Sequence, residues 1–344
     1  MNHRLAFRVV VVATAFQTLT TCAEADTENV LQGSVRAHDP STIVRQNGRY
    51  YVYATGVGLR SKWSSDLVHW NEGPAVFDRD QTPAWTGGVA PGFRGHFWAP
   101  DIAKQGGEYR LYYSVSRFGK QTSAIGLAVS PTLDPDDPLY GWRDVGIVIQ
   151  SHDGDAYNAI DPSVLQDDDG RQWMAFGSYW RGIHLVELDP ATGLRRHLEQ
   201  PPRRLASADS IEAATLLRHG DNYFLFVNHG QCCRGVESTY RVLVGRSDCV
   251  TGPYLDRDGL AMSEGGGSVV LESVDSRIGP GHIAPVAGDE SNRFAFHYYD
   301  GNDQGKSKLA LASWTWTEDG WPVAADVRLS GPGTRPQRDV RSRD

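Results

Sequence analysis

A strand–turn–strand pattern recurs five times in this chain, and no other feature of the sequence limits the fold so sharply. Each copy begins with a polar or small residue, often followed by proline. A short apolar stretch, a polar turn and an alternating aromatic strand come next. The first copy runs Asp39-Pro40-Ser41-Thr42-Ile43, turns at Gln46-Asn47-Gly48 and continues Tyr50-Tyr51-Val52-Tyr53. The second joins Ala99-Pro100-Asp101-Ile102 to Tyr109-Arg110-Leu111-Tyr112-Tyr113 across Gln105-Gly106-Gly107. The third joins Asp161-Pro162-Ser163-Val164-Leu165 to Trp173-Met174-Ala175-Phe176 across Asp168-Asp169-Gly170. The fourth joins Glu212-Ala213-Ala214-Thr215-Leu216 to Tyr223-Phe224-Leu225-Phe226 across His219-Gly220-Asp221. The fifth, the weakest, joins His282-Ile283-Ala284-Pro285-Val286 to Phe294-Ala295-Phe296-His297-Tyr298.

Starts at 39, 99, 161, 212 and 282 leave spacings of 60, 62, 51 and 70 residues, room for about four strands per unit. Tight Asn-Gly and Gly-Gly turns suit hairpins, and almost nothing carries a helical period. The pattern predicts an all-β chain folded as a five-bladed β-propeller over residues 34–325. A two-sheet sandwich is the alternative, and the five-fold recurrence argues against it.

Charge and cysteine content narrow the function classes. The formal net charge of -8 makes nucleic acid an unsuitable partner. Residues 1–25 read as an export signal: Arg4 and Arg8, an apolar run at 9–16, then the small-x-small pattern Ala23-Glu24-Ala25. A buried first strand is the other reading. The apolar run is too short to span a bilayer. Leu19-Thr20-Thr21-Cys22 loosely resembles a lipoprotein attachment site, so lipid anchoring through Cys22 is a second outcome of the same stretch. Cleavage after Ala25 leaves three cysteines. Cys232 and Cys233 are adjacent, and neighbours in sequence rarely bridge without strain. No Cys-x-x-Cys pair suggests zinc. The polar, Arg-rich segment 331–344 is expected to be disordered. The protein is expected to be secreted or periplasmic, monomeric and without a membrane span.

A propeller sets the first strand of every blade along its axis, so equivalent positions converge. Those positions are Asp39, Ala99, Asp161, Glu212 and His282. Carboxylates gathered this way push at least one pKa upward, which suits acetal hydrolysis: one carboxyl must donate a proton and another must activate water. Taken singly, Asp39 or Asp161 in Asp-Pro-Ser is more often structural than catalytic. His282, in Gly279-Pro280-Gly281-His282, is equally a satisfied core residue or a metal ligand on these grounds.

The chain resembles the family 43 glycoside hydrolases, and within them the endo-1,5-α-L-arabinanases, from about Val35 to Pro322. The resemblance is carried by His38-Asp39-Pro40-Ser41, Phe97-Trp98-Ala99-Pro100-Asp101, Asn158-Ala159-Ile160-Asp161-Pro162-Ser163, Ser210-Ile211-Glu212-Ala213, Cys232-Cys233-Arg234-Gly235, Ser238-Thr239-Tyr240 and Gly279-Pro280-Gly281-His282. It implies a five-bladed propeller and an inverting mechanism, with Asp39 as general base, Glu212 as general acid and Asp161 raising the pKa of the acid. It implies a calcium ion held near the pocket floor by His282 and waters. Trp98, just before the blade-two position, can stack on the innermost sugar or be a core aromatic, and Asn158 and Ile160 beside Asp161, with Ser178 after the blade-three strand, are expected to bond and shape that sugar; Cys232-Cys233 would be a pocket wall. The substrate implied is plant cell-wall arabinan. One departure is Ala213-Ala214 after Glu212, where the family often has proline. Competing expectations are an exo-acting arabinanase, arabinofuranosidase or β-xylosidase on the same scaffold, and a non-catalytic sugar-binding propeller.

Overall fold

A computed structural model describes residues 30–78 and 81–331 of the chain. The proposed signal, Cys22 and the tail beyond Gly331 lie outside the described residues. The described chain is almost wholly strand, arranged as five separate sheets that follow one another in sequence. Each sheet is one blade.

The innermost strands are Val44–Gln46, His96–Gln105, Ser163–Gln166, Ile211–His219 and Arg277–Pro285. Within each blade the strands then step outward as an antiparallel meander. Asn47-Gly48 and Gly106-Gly107 close the first hairpins of blades one and two with positive φ at both central residues. That is the turn whose twist matches the flanking strands. The ring closes at two depths. Gln32–Gly33 adds a parallel outer strand to blade one, while Leu31 N–H donates to Leu329 O at 2.9 Å after blade five. Nearer the axis, Ile43 of blade one and Val286 of blade five bond each other in parallel.

The core is not one mass but five wedges, one at each blade junction. Phe97 and Tyr113 of blade two pack with Tyr53 and Phe77 of blade one. Leu127 and Phe176 belong to one cluster between blades two and three. Leu185 and Leu225 share the cluster between three and four, Phe226 and Phe296 that between four and five, and Leu309 and Val52 that between five and one. Middle strands are therefore buried on both faces, and Ser123–Ser130 is buried at every position. Each fully buried large apolar side chain contributes roughly 1.5–3 kcal/mol by its removal from water. Packing of this kind fixes the blades rigidly, and the strand starts with them.

Candidate active site

All five blades carry the same backbone irregularity within or just before the innermost strand. Asp39, Ala99, Asp161, Ala213 and His282 have left-handed φ angles of 49°, 33°, 58°, 53° and 55°. In blades two, four and five the ladder loses register at this point: Trp98 faces Ser114 but Asp101 faces Tyr112, and Glu212 faces Asn228 but Thr215 faces Phe226. Three residues on one strand therefore span two on its partner, which is a β-bulge. A bulge breaks the two-residue alternation of a strand, so two consecutive side chains can reach the same side.

This corrects the equivalence read from the sequence. The blade-four counterpart of Asp39 and Asp161 is Ala213, not Glu212. Glu212 sits one residue earlier, at the position of His38, Trp98 and Ile160. The bulge is what lets both positions face one cavity.

A left-handed non-glycine residue costs about 1–2 kcal/mol, so five in equivalent places must be held. All five of their amide N–H groups are held by a side chain from the preceding blade, four of them from equivalent positions. Ala99 N–H donates to Thr55 Oγ1 at 2.8 Å, Asp161 N–H to Ser114 Oγ at 3.0 Å and His282 N–H to Asn228 Oδ1 at 2.9 Å. Asp39 N–H donates to His297 Nδ1 at 3.1 Å across the ring closure. Blade three breaks the rule. Gly177 stands where the other blades carry Thr55, Ser114, Asn228 and His297, and its N–H pairs with Ile160 O. A Cβ there would come within 2.4 Å of Gly182 O. Ala213 N–H is left to Asp161, whose Oδ2 accepts it at 3.1 Å. The missing side chain at Gly177 thus draws Asp161 toward the base of Glu212.

The resulting cavity has a volume of about 750 Å³. Asp39, Trp98, Asn158, Ile160, Asp161, Ser178 and Glu212 all line it, so seven of the eight expected site residues share one pocket. His282 lies beneath it, buried at 4% exposure. Phe118, 81% exposed, and Trp180 stand at its rim. A second cavity of about 720 Å³ opens on the opposite mouth of the axis and contains none of the three carboxylates.

The three carboxyls live in different surroundings. Asp39 Oδ2 accepts from Thr55 Oγ1 at 2.6 Å and pairs with His38 Nδ1 at 2.7 Å. Burial works against its charge, yet the His38 charge holds it well below the usual carboxylate range. Burial likewise opposes charge on His38, but Asp39 pushes it up to about 10. His38 is therefore an imidazolium whose second N–H donates to Tyr299 Oη at 2.8 Å. Its ring stacks on His297 at 4.1 Å. His297 accepts an amide at Nδ1, so its proton is on Nε2 and it is neutral; burial and the His38 charge keep it so.

Glu212 and Asp161 are pushed the other way. Burial raises both; at Asp161 the Glu212 charge and then the Asp39 charge add to it, while at Glu212 the hydrogen bonds from Tyr240 and Ser178 oppose it and the Asp39 charge adds to it. The pair is thus biased toward keeping a proton and Asp39 toward losing one. Glu212 is oriented by two hydroxyls: Ser178 Oγ donates to Oε2 at 2.7 Å and Tyr240 Oη donates to Oε1. Ser178, expected against the sugar, thus has its proton committed to Glu212. Asn158 Oδ1 is buried without a hydrogen-bond partner among the described residues, a free acceptor in the pocket wall. Trp98 lines the pocket with its indole N–H on His96 Nδ1 at 3.1 Å. The sequence reading gave no role to His38, Thr55 or Tyr240. His38 and Tyr240 stood inside quoted motifs, whereas nothing in the residue pattern marks Thr55.

A cation was expected on His282. His282 Nδ1 is buried without a hydrogen-bond partner among the described residues, 3.6 Å from Asp39 Oδ1. One nitrogen and one shared carboxylate do not supply the six to eight oxygens that bare calcium takes. They do fit a cation that keeps most of its own water. His38, Asp39 and His297 also bring one potential ligand atom each within 4.8 Å. His38 Nδ1 and Nε2 are already engaged by Asp39 and Tyr299, and His297 Nδ1 by the Asp39 amide.

Residues 29–322 match the family described as Glycosyl hydrolases family 43. The chain belongs to this family. An extracellular exo-α-(1→5)-L-arabinofuranosidase of Cellvibrio japonicus is 42% identical over 86% of this chain and 88% of its own. An extracellular endo-α-(1→5)-L-arabinanase of Bacillus subtilis is 41% identical over 83% and 86%. The solved structure of Cellvibrio cellulosa α-L-arabinanase complexed with arabinohexaose aligns with a TM-score of 0.80 at 40% identity, covering 85% of this chain and 96% of that one. Family 43 membership joins the acidic pocket to glycoside chemistry. No helix among the described residues is long and apolar enough to cross a membrane.

Proposed function

We propose that the protein hydrolyses α-1,5-L-arabinofuranosyl linkages of arabinan, cutting internal bonds by a single inverting displacement. One observation carries this reading: Asp39, whose carboxyl is held well below the usual range, shares one pocket with Glu212 and Asp161, whose carboxyls are raised above it, chiefly by burial. A glycosidic bond needs a proton on its leaving oxygen and an activated water on the opposite face. Glu212, oriented by Ser178 and Tyr240, is the general acid. Asp39, charge-balanced by His38, is the general base. Asp161 touches the acid's own strand through Ala213 N–H and keeps the acid's proton affinity high. Trp98 and Ile160 offer apolar surface to the furanose ring, and Asn158 Oδ1 accepts a sugar hydroxyl. A non-catalytic sugar-binding role is disfavoured by carboxyls in one pocket pushed in opposite directions, Asp39 down and Glu212 and Asp161 up.

The relatives include both exo- and endo-acting enzymes, and exo action is the second reading. Digestion of linear debranched arabinan separates them. A mixture of oligomers early in the reaction is expected, whereas a single small product from the first minutes would establish exo action. Xylan should give no product. The names of the relatives and the charged, apolar N-terminus together support export from the cytoplasm.

A hydrated cation over His282 would add positive charge below Asp39 and help keep it ionised. Chelation is then expected to lower kcat by about tenfold or to lower Tm by several degrees. If neither changes and elemental analysis finds no metal, His282 is a core histidine.

A further inference from the structure

Cys232 and Cys233 lie in the wall of the pocket beside Asp39 and Glu212, and the mechanism above makes no use of them. Their sulfurs stand 2.6 Å apart, unbonded. That is far inside ordinary contact distance and not far beyond the roughly 2.05 Å of a disulfide. Cys233 has a left-handed φ of 63°, and its N–H donates to Tyr299 Oη at 2.7 Å. The backbone is thus fixed in the form that brings the two side chains onto the same side. Cys233 Sγ also lies 4.0 Å from His38 Nε2, the imidazolium that balances the general base. We propose that Cys232 and Cys233 close to a vicinal disulfide in the working enzyme, and that this bond forms the pocket wall and keeps a thiolate away from the His38–Asp39 pair.

The chemistry is thiol–disulfide exchange with a low-molecular-weight disulfide. The Cys233 thiolate attacks one sulfur of that disulfide and expels the first small thiol. Cys232 loses its proton and displaces the second small thiol from the mixed disulfide, leaving Cys232 and Cys233 bonded. Two protein thiols are oxidised and one external disulfide is reduced to two thiols. Cys233 is the more exposed of the pair. Hydrogen bonding from Cys232 and then the His38 charge draw it down to about 5 against its burial, so it is the attacking sulfur. A strained bond between neighbours is easily reduced, and the pair responds to the redox state of its surroundings.

In the reduced form a Cys233 thiolate competes with Asp39 for His38 and adds a negative charge to a pocket already holding three carboxyls. Reduction is therefore expected to lower kcat/KM on arabinan, roughly fivefold, the scale of one screened contact at this distance.

The proposal rests on the hydrolytic reading of the site, and its test has an arm that does not. Full-length protein is treated with oxidised glutathione, denatured and alkylated, and the peptide carrying residues 232–233 is weighed. The expected result is a peptide unmodified by the alkylating agent and 2 Da lighter than its dithiol form. After reduction it should take two alkyl groups. In parallel, kcat/KM on linear arabinan is measured before reduction, after reduction and after re-oxidation. The value should fall and recover, and Cys232→Ser should sit at the reduced level and ignore both treatments. Two alkylated cysteines in the oxidised sample would overturn the proposal, as would a disulfide whose reduction leaves kcat/KM unchanged. If arabinan is not cleaved in any state, the hydrolytic reading fails while the mass measurement still decides whether the bond forms.

Discussion

Replacing Glu212 with glutamine is expected to lower kcat on linear arabinan by about 10⁴-fold, at the upper end for loss of a positioned general acid. The change is nearly isosteric. Ser178 can rotate its hydroxyl to accept from the new amide, and Tyr240 keeps an acceptor if the amide oxygen takes the place of Oε1. What disappears is the proton for the leaving oxygen. The loss should therefore depend on the leaving group. An aryl α-L-arabinofuranoside with an acidic phenol departs with little protonation and should lose about 10²-fold or less. Steady-state kinetics on both substrates check this. Equal losses on the two would mean that Glu212 does something other than donate a proton.

Asp39→Asn is expected to lower kcat by about 10⁴-fold on both substrates alike, because water must be activated whatever leaves. Asparagine retains an oxygen for the Thr55 hydroxyl, now held at 2.6 Å, so the pocket keeps its shape. It removes the anion that holds His38 at about 10, and His38 should fall toward the ordinary histidine range. An NMR titration of the His38 ring reports that fall independently of activity. A substrate-dependent loss in Asp39→Asn would exchange the roles of the two carboxyls.

The five-fold symmetry was legible because it is written in residue types: small or acidic starts, Gly and Asn turns, and aromatic strands that become the five wedges. The convergence of Asp39, Asp161 and Glu212 followed from it. The one-residue offset in blade four was not legible. It depends on a left-handed bulge at Ala99 and Ala213, and alanine carries no mark of that conformation, unlike the aspartates that tolerate it. Aligning carboxylate with carboxylate was the natural error. Gly177 was equally silent, since its meaning lies in the side chain it lacks and in the amide of Ala213 left for Asp161. Tyr240 reaches Glu212 from the start of the third strand of blade four, 28 residues along the chain, beyond the reach of any local pattern.

The central claim is that one pocket keeps Asp39 ionised and the acid protonated at the same pH. The pH dependence of kcat/KM on arabinan, in the natural enzyme and in Asp161→Asn, tests it most directly. Asp39 must be charged, so the rising limb should lie below the ordinary aspartate range. The acid must hold its proton, so the falling limb should lie above the ordinary glutamate range. Asparagine at 161 can still accept from Ala213 N–H but carries no charge. The falling limb should then move toward acid by about one pH unit. A falling limb at the ordinary glutamate position, or one that Asp161→Asn leaves in place, would contradict the account.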